Sequence, residues 1–109
     1  MNRTINSTFA YKFTIRDENK ALHDPSILQV SFRKGDGTED VLTLGGVQPR
    51  DSQLTKLSPG IYRADYKLDV LGEWKVNERW TDDNWIHPIK NTDLIITVNA
   101  DPHAWVDTP

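Results

Sequence analysis

Carboxylates are the first side chains in this sequence to consider for chemistry, since the chain has 16 of them. Several stand in predicted turns, namely Asp17-Glu18, Asp24, Asp36 and Asp82-Asp83. Converging carboxylates bind Ca²⁺ through about six to eight oxygens, but no D-x-[DN]-x-[DN]-G loop with a distal Glu occurs. Asp and Asn also favour turns because their side chains hydrogen-bond nearby backbone. We therefore expect structural turns and no metal site.

Histidine is the second candidate for metal binding or proton transfer. His23, His87 and His103 are far apart, no H-x-x-x-H pair occurs, and the chain has no cysteine. A zinc site needs about three or four ligands from such residues. We expect surface or capping roles for the histidines, and we expect no metal and no cofactor.

Hydrolytic and phosphate-binding motifs are also missing. No serine lies in a G-x-S-x-G turn, the signature of one large group of serine hydrolases. Gly35-x-Gly37 and Gly45-Gly46 precede no predicted helix, so neither offers an anion a helix N-terminus. The sequence does not exclude a pair of catalytic carboxylates of the glycosidase kind. A small β-sandwich, however, leaves little room for the deep cleft that such a site needs. We predict that the chain is not an enzyme.

The tryptophans point to binding instead, and four is many for 109 residues. Trp74 lies between apolar neighbours in a predicted strand and is expected in the core. Trp80 lies at a strand end, Trp85 in a long loop and Trp105 in a proline-bounded tail. Tryptophan is enriched at binding hot spots, but Trp105 could equally fold back onto its own domain. The predicted partner-binding residues are Trp80, Trp85, His103, Trp105 and Val106.

Composition limits the class of protein. Length suits one domain, and 37% hydrophobic with 27% charged residues fits a globular chain. No run of about 18 apolar residues occurs, and the N-terminus lacks the apolar block of a signal peptide. The net charge is −3 with both signs interspersed, so we expect neither nucleic acid nor membrane as a partner. The absence of cysteine fits a reducing cytoplasm.

The elements that must position these residues are strands. Apolar residues recur with a period of two, as in Phe9, Tyr11, Phe13 and Ile15, which is typical of half-buried strands. No segment has a helical period. Short, regularly spaced strands of this kind predict a sandwich or barrel. The predicted strands cover residues 9–15, 27–33, 39–44, 53–57, 62–68, 74–80 and 93–99.

Turn residues separate the strands. Asp36-Gly37 predicts a hairpin, and Ser58-Pro59-Gly60 predicts a second tight turn. Glu78 interrupts an apolar face, so the strand is expected to leave the core there. Residues 81–92 are predicted as a long loop. The sandwich domain is predicted over residues 8–99, with an N-terminal arm at 1–7 and an extended C-terminal tail at 100–109.

Two segments carry a resemblance to a known family. Residues 59–66 contain P-G-x-Y, and residues 71–76 contain a Gly corner followed by W-x-V. With residues 13–19, 24–26 and 35–38, they resemble an immunoglobulin-like (Ig-like) antiparallel β-sandwich of about seven strands. The combination is similar to short Ig-like proteins of tailed-bacteriophage virions, over about residues 9–98. The disulfide of antibody domains is missing, so only the sandwich architecture is carried over.

The resemblance implies a non-enzymatic virion protein of the capsid decoration (cement) type. Such a protein binds the outer capsid surface and stabilises the joints between capsomers. Its partner would be the major capsid protein or another virion protein, with self-association as a further option. Its location would be the capsid exterior, after synthesis in the host cytoplasm. The alternatives are an Ig-like neck or tail adaptor, or a carbohydrate-binding module with Trp80 and Trp85 as stacking platforms.

Overall fold

The protein is an all-β sandwich. The computed structural model describes residues 2–17, 19–82, 89–90 and 94–100. These ranges contain no helix, and so no candidate membrane-spanning helix. Their strands are β1 (Asn2–Thr4), β2 (Thr8–Thr14), β3 (Ile27–Arg33), β4 (Glu39–Thr43), β5 (Ser52–Ser58), β6 (Ile61–Lys67), β7 (Gly72–Thr81), β8 (Ile89–Lys90) and β9 (Leu94–Asn99).

The larger sheet is built around β7. Its strand order is β1-β9-β7-β3-β4, and β8 also pairs with β7. On one edge β7 is antiparallel to β3. On its other edge it pairs with β9 over Gly72–Val76 and with β8 over Arg79–Trp80. A strand of ten residues spans about 33 Å, which is long enough to hold two partners in succession.

The smaller sheet has the order β2-β6-β5 and is antiparallel throughout. The register of β5 against β6 shifts between Lys56 and Ser58. Gly60 then closes the hairpin with φ 75°. A Cβ at Gly60 would lie 2.8 Å from the Leu22 Cβ and 2.9 Å from the His23 nitrogen. This turn therefore needs glycine for both conformation and space.

The core lies between the sheets and follows the period-two pattern. Trp74 is fully buried, donates its indole N–H to the Val70 carbonyl at 2.8 Å, and meets the Tyr66 ring edge-on at 5.6 Å. The indole is thereby buried with its polar atom satisfied. The buried apolar side chains are Phe9, Phe13, Ile15, Leu28, Val30, Phe32, Leu42, Leu54, Tyr62, Ala64, Tyr66, Leu68, Trp74, Val76, Trp80, Ile96 and Val98.

The predicted all-β fold is confirmed, and each predicted strand is present within one or two residues at either end. Residues 53–57, the weakest strand pattern, lie within β5. The expectation that β7 leaves the core at Glu78 is wrong. Glu78 is 3% exposed and β7 continues to Thr81, because the Tyr11 hydroxyl donates to Glu78 Oε2 at 2.8 Å.

Two further expectations differ at the ends of the fold. The predicted arm over residues 1–7 contributes a strand, since β1 pairs in parallel with β9 from Asn2↔Thr97 to Thr4↔Asn99. The Ser7 nitrogen donates to the Thr4 carbonyl at 3.2 Å in a turn that leads into β2. The predicted long loop over residues 81–92 includes β8. Both strands lie on sheet edges, and the alternation of apolar and polar residues along the sequence does not predict them.

Candidate functional site

The structure describes one of the five predicted partner-binding residues. Trp80 is 4% exposed and packs in the core, with its ring centroid 5.3 Å from that of His23. The expectation of an exposed Trp80 ring is therefore wrong, because the period of β7 turns position 80 inward with Trp74 and Val76. The carbohydrate-binding alternative loses one of its two platforms. Trp85, His103, Trp105 and Val106 lie outside the described residues.

Asp24 forms the first of three polar clusters at the ends of the sandwich. Its Oδ1 accepts from the Tyr62 hydroxyl at 2.7 Å and from the Gly60 nitrogen at 2.8 Å. Its Oδ2 accepts from Lys56 Nζ at 2.9 Å. The hydrogen bond from Tyr62, followed by those from Gly60 and Lys56, holds the pKa of Asp24 well below its usual range. The cluster ties the segment before β3 to the β5–β6 hairpin.

The same contacts act on Tyr62. Burial, and then the hydrogen bond to Asp24, raise the pKa of the Tyr62 hydroxyl far above its ordinary value. The phenol is therefore held protonated as a donor, and the carboxylate is held ionised as an acceptor. This is an arrangement for a fixed bond, since neither group is poised to exchange a proton near neutral pH.

His23 and Asp82 form the second cluster. His23 Nε2 lies 2.9 Å from both carboxylate oxygens of Asp82. Asp82 follows directly after β7, and its Oδ1 also accepts from the Ser26 nitrogen at 3.3 Å. The imidazole thus bridges the β2–β3 connection and the end of β7. The sequence analysis expects a surface or capping role for this histidine, and the structure shows a partly exposed side chain that joins two loops.

Lys34 forms the third cluster, in the β3–β4 turn. Its Nζ lies 3.1 Å from Asp69 and 3.4 Å from Asp40, over the rings of Tyr66 at 5.3 Å and Trp74 at 5.9 Å. Burial opposes the charge of Lys34, but Tyr66 and Asp69 outweigh it and raise the pKa of the ammonium. Burial and the hydrogen bond to Asp40 raise the pKa of Tyr66 to about 12. The ammonium therefore covers one end of the aromatic core.

Asp17 and Asp36, the other turn carboxylates among the described residues, have structural partners, as the sequence predicts, whereas Glu18 and Asp83 lie outside those residues. Asp17 Oδ1 accepts from the Asn19 and Ala21 nitrogens at 2.9 and 3.0 Å. Asp36 Oδ1 accepts from the nitrogen and hydroxyl of Thr38 at 3.0 and 2.6 Å, which lowers the pKa of Asp36. Within the described part of the chain, no three His, Asp or Glu side chains converge as metal ligands.

The outer face of the larger sheet carries a cluster of cations that the sequence analysis missed. Arg33 of β3 lies directly opposite Lys75 of β7, and Arg79 follows two outward positions further along β7. Ser31 and Asn77 form the register pair between these rows. We call these five residues the basic face. The outward positions of β3 and β7 are odd-numbered, so a cross-strand reading of the two strands could have found it.

A shallow open depression follows the edge of the same sheet. Its volume is about 350 Å³, and it is lined by Asn2, Arg3, Thr4, Asn99 and Ala100. The walls are formed by β1, which contributes the cationic side chain of Arg3, and by the end of β9 with the residue that follows it. Such a surface depression lacks the enclosed apolar lining of a small-molecule site.

Comparisons with known proteins support the fold. No protein-family model matches the sequence, and a search of curated proteins finds no match. Among solved structures, the chain is similar to the crystal structure of the Lin-41 filamin domain, with a TM-score of 0.64 and 15% sequence identity. The similarity covers 90% of this chain and 82% of that one. The protein therefore has an Ig-like β-sandwich fold of the filamin type.

Proposed function

We propose that this protein is a non-enzymatic binding module, and that it docks on the outer surface of a phage capsid as a decoration protein. The proposal rests on the observation that the three polar clusters have structural roles. Asp24, His23 with Asp82, and Lys34 each join separate loops at the ends of the sandwich. Because these polar side chains connect loops, we place the function on the outer surface of the sandwich, which suits contact with another macromolecule.

The case against catalysis rests on the same contacts. A general acid or base needs a pKa near the working pH and room for a substrate. Asp24 and Tyr62 have pKa values displaced away from neutrality in opposite directions, and Tyr62 is buried in the core. The Asp24 side chain is 41% exposed, but its carboxylate oxygens are taken up by hydrogen bonds from Tyr62, Gly60 and Lys56. These contacts hold loops together and leave neither group available as an acid or base.

The capsid as partner is supported by the sequence resemblance to Ig-like phage virion proteins. A protein that binds the assembled shell and not free subunits stabilises the shell by linkage. A rigid sandwich serves this role well, because little conformational entropy is lost when it docks. The neck or tail adaptor shares the fold, and differs in where on the particle the protein binds.

The experiment compares phage heads assembled with and without this protein. Purified protein is added to heads lacking it, and bound protein is measured by cosedimentation, with free capsid subunits as the control. We expect saturable binding to heads, none to subunits, and a higher temperature for DNA release. Binding only to necks or tails would transfer the protein to the adaptor class. Binding to a glycan array and not to heads would support the carbohydrate-binding alternative.

A further inference from the structure

We infer that the basic face is the docking surface, and that it binds an acidic protein surface through carboxylates. This inference rests on the proposed binding function and names the surface and the partner's chemistry. Arg33, Lys75 and Arg79 lie on one side of a rigid antiparallel sheet, so their spacing is fixed by strand register.

The three cations of the basic face lie close to one another in the larger sheet. None of them forms an ion pair within the described part of the chain. Arg33 and Lys75 are nevertheless direct cross-strand neighbours, a placement of like charges that destabilises a sheet. The chain has a net charge of −3, so this grouping of cations does not follow from an excess of positive charge in its composition. Arg33 also faces Glu39 of β4 in register, but the two form no ion pair. A partner carrying carboxylates would reduce the repulsion between Arg33 and Lys75.

Two polar side chains at the centre of the face also lack partners. Ser31 is 2% exposed although it alternates with the core residues Val30 and Phe32 and so points outward. Its Oγ is buried without a hydrogen bond, and so is Oδ1 of the neighbouring Asn77. A buried polar atom without a partner costs about 1–3 kcal/mol. The centre of the basic face therefore contains polar atoms that the fold leaves unsatisfied.

The composition of the surrounding face favours a protein over other anions. Glu39 lies beside Arg33 in register, and Glu73 lies two positions before Lys75. These carboxylates divide the face into separate cationic positions, which individual carboxylates of a folded protein can match and a continuous phosphate backbone or an anionic membrane cannot. Ile95, opposite Lys75, is exposed, and protein interfaces combine apolar contacts with arginine. Arginine also binds carboxylates with two parallel hydrogen bonds.

The test reverses charge on one face at a time. The variant K75E/R79E changes the basic face, and K12E/K67E makes the same change in net charge on the outer face of the smaller sheet, where Lys12 and Lys67 lie. Circular dichroism and thermal unfolding verify that both variants fold. Affinity is measured for phage heads and for immobilised poly-L-glutamate, with duplex DNA and phosphatidylserine vesicles as competing anions. A fragment ending at Ala100 is measured in parallel.

We expect K75E/R79E to weaken head binding about tenfold or more, because each reversal replaces an attraction with a repulsion, and K12E/K67E to change it less than about threefold. Equal effects of the two variants, or none, would overturn the inference while leaving the proposed function intact. If the wild type does not bind heads, the proposed function fails. Selective loss of poly-L-glutamate binding in K75E/R79E would still support the basic face.

Two other results would also refute the inference. The first is tighter binding to DNA or to vesicles than to poly-L-glutamate, which would replace the acidic protein with a phosphate-bearing partner. The second is binding to poly-L-glutamate by the fragment ending at Ala100 but not by the whole chain. That result would make residues 101–109 the occupant of the face.

Discussion

Replacing Lys34 with methionine should destabilise the protein by about 2 kcal/mol. Methionine keeps most of the aliphatic stem, so the change chiefly removes the ammonium. The cation lies over Tyr66 and Trp74, and a largely desolvated contact of this kind contributes about 1 kcal/mol. Asp69 is 48% exposed and Asp40 34% exposed at their side chains, so solvent screening limits each ion pair to about 0.5 kcal/mol.

Urea unfolding followed by tryptophan fluorescence measures this loss, since Trp74 is fully buried in the folded state. With a slope of about 1.5 kcal/mol per molar urea, the midpoint should fall by about 1.3 M. The control is Lys12→Met, because Lys12 is exposed on a sheet face and has no ion pair in the described ranges. A Lys34→Met midpoint no lower than that of the control would refute the role of the ammonium as a cover for the aromatic core.

Three further predictions follow from the turns, the ionised cluster and the last strand. Gly60→Ala should lower the free energy of unfolding, measured with a chemical denaturant, by about 3 kcal/mol or more, and Gly45→Ala by only about 1 kcal/mol. Both glycines have positive φ, but only Gly60 is crowded by neighbouring atoms. Equal losses would contradict this reasoning. The lowered pKa of Asp24 means that its stabilisation is present at neutral pH and is lost as pH falls below about 4. Asp24→Asn should therefore be less stable at pH 7 and lose less stability on acidification, and parallel pH profiles of melting temperature would count against it. A chain ending at Ala100 retains β9 and should melt within about 2 °C of the whole chain but dock less tightly on phage heads; undiminished docking would exclude residues 101–109 from the interface.

The inward residues of the central strands could be predicted from sequence because burial there follows a period of two. Leu28, Val30 and Phe32 alternate with polar residues, and all three are buried. Glu78 broke this pattern because its partner, Tyr11, is distant in the sequence. A buried acid next to a tyrosine hydroxyl is a tertiary arrangement, and no local pattern predicts it.

The edges and the candidate site were harder to predict for a related reason. The three residues of Asn2–Thr4 are exposed and none is apolar, so the strand forms because β9 offers a free edge. The basic face arises from the register of β3 against β7, which brings Arg33 next to Lys75. The sequence gives the position of each cation along the chain, but only the pairing of the strands determines which cations are neighbours.

The pairing of β1 with β9 sets the order of events as the chain leaves the ribosome. Arg3 reaches its register partner, Val98, only after nearly the whole domain has been synthesised. Ile96 and Val98 belong to the core, so the nascent chain exposes apolar surface and an open β7 edge until then. Contacts of such long sequence separation also slow folding. A chaperone therefore has its best opportunity to act on this protein in the interval between synthesis of β7 and arrival of β9.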